Sequence, residues 1–133
     1  MDFKKIFGIL IIVFVLFCCV SAINASEQKT IEGMDFNMPD GYTEDTANEK
    51  TDFEKDNYAC LIFTKGSDTI IINVNPFSGG KLVASEGEVE KTVNGIDGIY
   101  KEADKSFSYT DGNYLITISV PEESVLEDVI IGK

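Results

Sequence analysis

The sequence predicts an α+β fold: a mainly antiparallel β-sheet built from hairpins, with a short C-terminal helix packed on one face and an N-terminal hydrophobic helix in front. Apolar and polar residues alternate in several short runs, and turn-forming residues separate these runs, which together indicate hairpins. After residue 120 the apolar spacing changes from two to three or four residues, which indicates a helix. Residues 6–25 are uncharged and mostly apolar, which indicates the hydrophobic helix.

The N-terminal segment has the three parts of an export signal. Lys4 and Lys5 supply positive charge, 6–20 is a run of 15 apolar residues, and 21–26 supplies small residues. Residues 1–25 are therefore predicted to be either a cleaved signal peptide or a single transmembrane anchor. Fifteen helical residues rise about 22 Å, short of a hydrocarbon core of about 30 Å, so cleavage is slightly favoured. A helix extended to residue 25 just reaches that thickness.

Both alternatives place residues 26–133 outside the membrane as one extracytoplasmic domain. Lysines precede the apolar run and the acidic Glu27 follows it, which orients the N-terminus toward the cytoplasm. The protein is expected to be secreted, or anchored in the membrane through residues 6–25 if the leader is retained.

The charge of the chain restricts its partners. The formal net charge is −12, and without Asp2, Lys4 and Lys5 residues 26–133 carry −13. Such a surface repels phosphate backbones, so nucleic-acid binding is excluded. An envelope protein, a glycan or a cation remains as a possible ligand, although excess acid also simply keeps an exported protein soluble.

The first predicted strand is Met34–Met38, where apolar and polar residues alternate until Pro39-Asp40-Gly41 forms a turn. Residues 58–75 predict a hairpin around the turn at Lys65–Asp68. Its first strand, 58–63, is apolar at every position, which predicts a central strand covered on both sides with Cys60 buried.

The acidic loop 44–56 separates these two predicted elements. It contains six carboxylates, at Glu44, Asp45, Glu49, Asp52, Glu54 and Asp56. We expect a solvated loop or a short, frayed helix. Divalent-cation binding is the alternative, but the spacing lacks the glycine that the sharp turn of an EF-hand loop requires.

Cys60 is the one cysteine of the predicted domain, which excludes a disulfide within it. We expect a structural residue, because burial raises the pKa of a thiol. A catalytic thiol would need a base, usually histidine, and the sequence contains none. Cys18 and Cys19 are interpreted as apolar filler, since the bulky Phe17 disfavours lipidation at this position.

The second half predicts further hairpins. A strand begins near Val89 and ends at turn signals at Asn94-Gly95 and Asp97-Gly98, and 99–103 continues as a strand. Residues 106–120 predict a hairpin around Asp111-Gly112. The six residues from Thr30 resemble the six from Thr92, but two such short pieces can match by convergence, and no repeat is inferred.

Pro121 predicts the start of the C-terminal helix, because proline fits the first helical position. Glu122 and Glu123 follow in the first turn, where the helix dipole favours negative charge. An apolar stripe then covers one side, and Gly132 is placed to stop the helix. The stripe consists of Val125, Leu126, Val129 and Ile130.

Three motifs and the leader carry a resemblance. The motifs are F-N-M-P-D-G-Y at Phe36–Tyr42, V-N-G-I-D-G at Val93–Gly98 and F-S-Y-T-D-G-N at Phe107–Asn113. With them the chain resembles short exported proteins of unknown function from methanogenic archaea. The order of elements is also similar to single-sheet envelope domains with a terminal helix. These families have no agreed activity or catalytic residues, so the resemblance implies no function and no site residues.

The sequence therefore predicts a non-enzymatic, extracytoplasmic cell-envelope domain that acts as a binding or surface-structural module. No catalytic, cofactor-binding or metal-binding residue is assigned. The alternatives are cation binding by the acidic loop 44–56 and a hydrolase that uses two carboxylates with separated pKa values.

Overall fold

The computed structural model of the chain describes residues 27–131. The strands, in chain order, are β1 Glu27–Ile31, β2 Met34–Met38, β3 Thr43–Glu44, β4 Ala59–Lys65, β5 Asp68–Pro76, β6 Glu88–Val93, β7 Ile96–Lys101, β8 Ser106–Asp111 and β9 Tyr114–Ser119. The helices are α1 Phe53–Asp56 and α2 Leu126–Val129, and a 3₁₀ turn at Glu123–Val125 leads into α2. No helix in this described range is long and apolar enough to cross a membrane. The predicted N-terminal hydrophobic helix lies outside the described residues.

The strands form two antiparallel sheets. β1 and β2 pair as a separate hairpin, and the other seven follow the order β3-β4-β5-β9-β8-β7-β6. Every neighbouring pair is antiparallel. The prediction of a mainly antiparallel sheet with a short C-terminal helix is confirmed.

The predicted hairpins are present, with small shifts in their turns. β4 and β5 join at Gly66-Ser67, and Gly66 has a positive φ of 61°. In the last hairpin Asp111 pairs with Tyr114, so the two turn residues are Gly112 and Asn113 rather than Asp111-Gly112. Glycine takes the first turn position in both hairpins because that position requires a positive φ.

Asp97-Gly98 was predicted as a turn, and that prediction is wrong because both residues lie inside β7. A Cβ atom on Gly98 would lie 2.4 Å from the backbone oxygen of Ser108 and 2.6 Å from the Phe107 ring. The glycine is needed because the fully buried ring of Phe107 packs directly over this strand.

The hydrophobic core lies on one face of the seven-stranded sheet. Alternate residues of β5 and β9 are completely buried there, and the hairpin β1–β2 and α2 cover them. Phe36 of β2 and Ile130 after α2 form an antiparallel bridge across this cover. β4 was expected to be buried on both sides, but Leu61 is buried while Cys60 and Ile62 on the opposite face are only half-buried.

The C-terminal helix begins later than predicted. Pro121 is not its first residue: Glu122 is extended (φ −140°), and the 3₁₀ turn starts at Glu123. α2 ends where Ile130 becomes extended (φ −81°, ψ 123°). The side-chain amide of Asn94 donates to the carbonyls of Glu127 (2.9 Å) and Ile130 (2.8 Å), which satisfies acceptors left free at the helix end. The predicted stop at Gly132 lies outside the described residues.

The similarity between the six residues from Thr30 and the six from Thr92 corresponds to a structural repeat. β1–β2 turns at Glu32-Gly33 and β6–β7 at Asn94-Gly95, with positive φ at both turn residues in each hairpin. In each, the threonine two residues before the turn donates to the aspartate two residues after it. The four positive-φ residues make both turns type I′ in character.

A second pair of hairpins extends the repeat. Residues 63–74 and 109–120 align without gaps, with identical residues at Thr64/Thr110, Gly66/Gly112, Ile70/Ile116, Ile72/Ile118 and Val74/Val120. The equivalent residues Ile72 and Ile118 face each other where β5 pairs with β9. A local pseudo-two-fold axis therefore passes through the centre of the large sheet.

One insertion breaks this symmetry. The turn glycines Gly33 and Gly66 are 33 positions apart, whereas Gly95 and Gly112 are 17 apart. The extra residues contain β3, the acidic loop and α1. They occupy the edge of β4, where its counterpart β8 pairs with β7 instead.

Candidate functional site

The acidic loop 44–56 lies along the edge of β4. The backbone N–H of Asp45 donates to the carbonyl of Ile62 (2.8 Å), and Lys50 and Cys60 exchange two backbone hydrogen bonds of 3.0 and 2.7 Å. The short helix that was predicted here is present as α1, capped by the Asp52 carboxylate, which accepts from the N–H of Lys55 (3.1 Å). Most of the other loop residues are exposed, as predicted for a solvated loop, and these hydrogen bonds attach the loop to the edge of β4.

An aromatic contact fixes α1 to the sheet. The ring of Phe53 meets the ring of Tyr114 edge-to-face, with centroids 5.3 Å apart and planes at 86°. Such pairs stabilise by about 0.5–1.5 kcal/mol beyond the area that they bury. This contact, the packing of Phe53 against the core and the Asp52 cap together stabilise a four-residue helix that is far too short to be stable alone.

Glu44 and Glu49 form a carboxylate pair at the start of the insertion. Glu44 Oε1 lies 2.9 Å from Nζ of Lys29, whose ammonium is also 3.4 Å from Glu27. Glu49 Oε2 accepts a 3.0 Å hydrogen bond from the backbone N–H of Ile62. Glu49 thus satisfies a donor at the β4 edge that a neighbouring strand would otherwise bond.

The two carboxylates of this pair have opposite pKa shifts. Burial, followed by the hydrogen bond with Glu44, raises the pKa of Glu49 to about 7. The hydrogen bond from Glu49, followed by the nearby Lys29, lowers the pKa of Glu44. The pair is therefore best described as sharing one proton, with Glu49 as the acid and Glu44 as the anion that Lys29 stabilises.

The carboxylate pair gives little support to the hydrolase alternative. Separated pKa values are what acid–base catalysis by two carboxylates requires. However, a catalytic pair also needs a cavity for substrate, and neither groove described below includes Glu44 or Glu49 in its lining. Glu49 also accepts a hydrogen bond from the backbone N–H of Ile62, so it attaches the acidic loop to β4. We call this contact, together with the hydrogen bond to Glu44, the latch.

Apart from the Glu44–Glu49 pair, the carboxylates of the acidic loop form no group that could hold a metal ion. Across residues 27–131, no three Asp, Glu, Cys or His side chains lie close enough together to hold a metal ion. The alternative of divalent-cation binding therefore gains no geometric support from this part of the chain.

Cys60 lies on the half-buried side of β4, facing away from the core. It was predicted to be fully buried, which is wrong, because the sheet face that it occupies has only partial cover. Burial, and then the neighbouring Glu49, raise the pKa of its thiol, so the predicted direction is confirmed. A thiol with a raised pKa is a poor nucleophile, and this geometry matches the structural interpretation.

A groove of about 590 Å³ lies between the turn after β2, the β4–β5 turn and the C-terminal segment. Its carboxylates are Asp40, Asp68, Glu122, Glu127 and Asp128. Lys65 is the cation in the lining, and its ammonium lies over the Tyr42 ring at 5.8 Å from the centroid. Burial, followed by Asp68 and Asp128, raises the pKa of Tyr42. This acidic groove is suited to cationic or neutral ligands.

A second groove of about 460 Å³ lies over β6, β7 and β8. Lys81 and Leu82 from the connection 77–87 form one wall, and Glu90, Asp97 and Ile99 are part of its floor. Its mixed charges and apolar patches do not indicate a particular ligand.

Sequence reasoning missed both the carboxylate pair and the acidic groove. Lys29 lies 15 residues before Glu44, and no local sequence pattern predicts the ion pair between them. The groove joins residues near 40, 66 and 125, which only the folded sheet brings together. The sequence did show that residues 44–56 are rich in acidic residues, but this composition does not indicate which carboxylates lie together in the folded chain.

Comparison with protein-family models, with curated proteins and with solved structures found no match to this chain.

Proposed function

We propose that this chain is a non-enzymatic cell-envelope protein whose β-rich domain lies outside the membrane, secreted or anchored by residues 6–25. The observation that carries the proposal is the uncharged apolar segment behind Lys4 and Lys5, which has the composition of an export signal or anchor.

The position of the first strand supports the proposal. β1 begins at Glu27, two residues after the end of the apolar segment. Extended residues span at most about 3.6 Å each, so a retained anchor would hold β1 within about 10 Å of the membrane surface. The domain would then act at the membrane rather than at a distance from it.

Charge indicates what such a domain binds. With a net charge of −13, residues 26–133 are repelled by anionic headgroups and attracted to basic surfaces. The acidic groove adds a concave surface with the same preference. A binding or surface-structural role therefore suits the chain, and neither Glu44 nor Glu49 lines either of the two grooves described above.

The proposal is tested by following the full chain, tagged at its C-terminus, in its native host or a related one. The fractions are membrane, cytosol and medium, and external protease reports the side on which the domain lies. Intact mass separates an anchor, which retains the leader, from a released domain, which begins near Ile23 or Ser26. Full-length protein in the soluble cytosolic fraction would contradict the proposal.

A pair of matched variants sharpens this test. Val13→Arg places a charge in the middle of the apolar run and should block export, because a charged residue at the centre of such a helix costs about 2.5–3.5 kcal/mol. Val89→Arg makes the same substitution at a position that is 58% exposed on the domain, and should be exported like the wild type. Equal export of both variants would remove the role assigned to the leader.

A further inference from the structure

We propose that β6 is a docking edge for an extended, basic segment of another protein, which adds to the large sheet as a further strand. β6 (Glu88–Val93) is the last strand of that sheet and pairs only with β7. This inference specifies how the binding role proposed above is carried out. The two can fail separately, because binding at β6 does not depend on where the protein is located.

Strand register identifies the main-chain groups that β6 leaves free. A two-residue turn follows Val93 and makes it the hydrogen-bonded partner of Ile96, so every second residue before Val93 also bonds to β7. Glu90 and Thr92 lie between these positions, and their N–H and C=O groups therefore point away from the sheet. Within residues 27–131, these main-chain groups have no backbone hydrogen bond.

The opposite edge of the sheet shows how a covered edge is built. β4 also precedes a two-residue turn, and its outward residues are Cys60 and Ile62. Cys60 exchanges two backbone hydrogen bonds with Lys50, and the main chain of Ile62 bonds to Asp45 and to the Glu49 carboxylate. An uncovered edge strand is a ready template for another chain. The described part of the chain therefore covers one edge of the sheet and leaves main-chain groups free at the other.

The composition of β6 favours a basic strand over a second copy of this chain. Its six residues include three that are β-branched and no proline, so nothing in the strand prevents pairing. Glu88 and Glu90 lie on the same face, because alternate residues of a strand share a face. Residues 26–133 carry a net charge of −13, which repels another copy and attracts a basic segment. Lysine or arginine opposite these glutamates forms favourable cross-strand pairs.

The groove of about 460 Å³ lies beside this edge, on the face of Glu90. By itself the groove does not specify a ligand, but it leaves room for a long side chain from an added strand. Glu90 and Asp97 supply carboxylates to its lining. Lys91 also lines the groove, but its ammonium is paired with Glu123 at 2.6 Å, and Lys81 is exposed. A cationic side chain that enters here meets carboxylates.

The other face of the edge offers an apolar contact. Val89 is 58% exposed, and it lies opposite the buried Tyr100 of β7. An apolar residue of the added strand covers Val89 on this face. When a strand is added to a sheet, main-chain hydrogen bonds supply affinity and alternate side chains supply specificity. The occupant is therefore a segment in which basic and apolar residues alternate.

The test is binding of a capped peptide of about seven residues, in which lysine and valine alternate, to the full chain in neutral detergent. The peptide is titrated to about 1 mM and binding is followed by NMR of the backbone amides. Binding should slow deuterium exchange at the amides of Glu90 and Thr92, and should leave the exchange rates of Cys60 and Ile62 unchanged.

Two control peptides separate strand addition from simple charge attraction. A peptide with glutamate in place of lysine should not bind, because its charge matches that of the domain. A lysine–valine peptide N-methylated at its lysines keeps its charge but loses the N–H groups that face β6 when the lysines lie opposite Glu90 and Thr92. This peptide should also fail to bind.

Protein variants test the edge directly. Thr92→Pro removes a free N–H without breaking a bond to β7, and should weaken binding at least about tenfold. Thr92→Val is the matched control, because it loses the hydroxyl that donates to Asp97 but keeps the N–H, and it should bind like the wild type. Glu90→Lys should weaken binding more than Glu54→Lys, which makes the same charge change at an exposed position of the insertion.

Each outcome supports or overturns the proposal. A wild type that does not bind the lysine–valine peptide overturns it. Binding that leaves Glu90 and Thr92 unprotected takes place elsewhere, for example in the acidic groove, and also overturns it. Equal binding of the N-methylated peptide shows charge attraction alone, and equal loss with Thr92→Val assigns the effect to the Asp97 contact; both contradict strand addition. If circular dichroism shows that Thr92→Pro is unfolded, the N-methylated peptide decides, because it leaves the protein unchanged.

Discussion

Replacing Glu49 with glutamine should remove a pH-dependent loss of stability. Glu49 shares a proton with Glu44 and accepts a hydrogen bond from the N–H of Ile62. Glutamine is uncharged at every pH, yet its carbonyl can still accept from Ile62 and its amide can still donate to Glu44. Glu49→Gln therefore imitates the protonated latch permanently.

The direction of the effect follows from the raised pKa. The folded protein binds the Glu49 proton up to a pKa of about 7, whereas the ordinary value is 4.5. The stability that this proton contributes is fully present below pH 4.5 and is lost as the pH rises to about 7. The full shift corresponds to about 3 kcal/mol, and solvent screening of this partly exposed pair reduces the expected loss to about 1–2 kcal/mol.

The assay is urea unfolding of the full chain in neutral detergent, followed by far-ultraviolet circular dichroism at several pH values from 5 to 8. Relative to the wild type, Glu49→Gln should gain about 1–2 kcal/mol at pH 8 and little at pH 5. Glu54→Gln is the control, because it removes the same charge from an exposed position in the same insertion. Parallel profiles for wild type and Glu49→Gln, or an equal gain with Glu54→Gln, would refute the shared-proton latch.

Three further predictions concern the fold. Gly98→Ala should lower the free energy of unfolding by about 1–3 kcal/mol, because its Cβ would lie 2.4 Å from the Ser108 backbone oxygen; an unchanged urea midpoint would contradict that packing. Asn94→Gly keeps the left-handed turn but loses two hydrogen bonds to the end of α2, and should cost about 1–3 kcal/mol in the same assay, whereas no loss would mean that water replaces the amide. Cys60 should react with iodoacetamide at pH 8 much more slowly in the folded chain than in urea, as measured by mass spectrometry of its peptide; equal rates would show that the thiol is unprotected.

The hairpins were predictable because their signals are local. Gly66 and Gly112 mark turns that need a positive φ, and the alternation of Ile116 and Ile118 with Thr117 and Ser119 indicates which side is buried. The same reasoning failed at Gly98, where glycine is required because the Phe107 ring packs against this strand, and not because the chain turns. It also failed at Pro121, because the chain stays extended until Glu123.

The candidate site was much less predictable. The acidic composition of residues 44–56 was evident, but its effect depends on Lys29 and on the N–H of Ile62, both distant in sequence. The two grooves combine segments from separate parts of the chain, and the half-burial of Cys60 depends on what covers its face of the sheet.

The sequence by itself determined the hairpins β4–β5 and β8–β9, the inward side of β5 and β9 and the strong negative charge, because these follow from residue spacing, turn chemistry and composition. Only the tertiary structure decided the strand order, the pairing of β5 with β9 that reveals the repeat, and the insertion that covers the β4 edge. It also decided which carboxylates meet. The physical reason is that such contacts join residues far apart in the chain, where the energy of each pairing depends on everything else that packs around it.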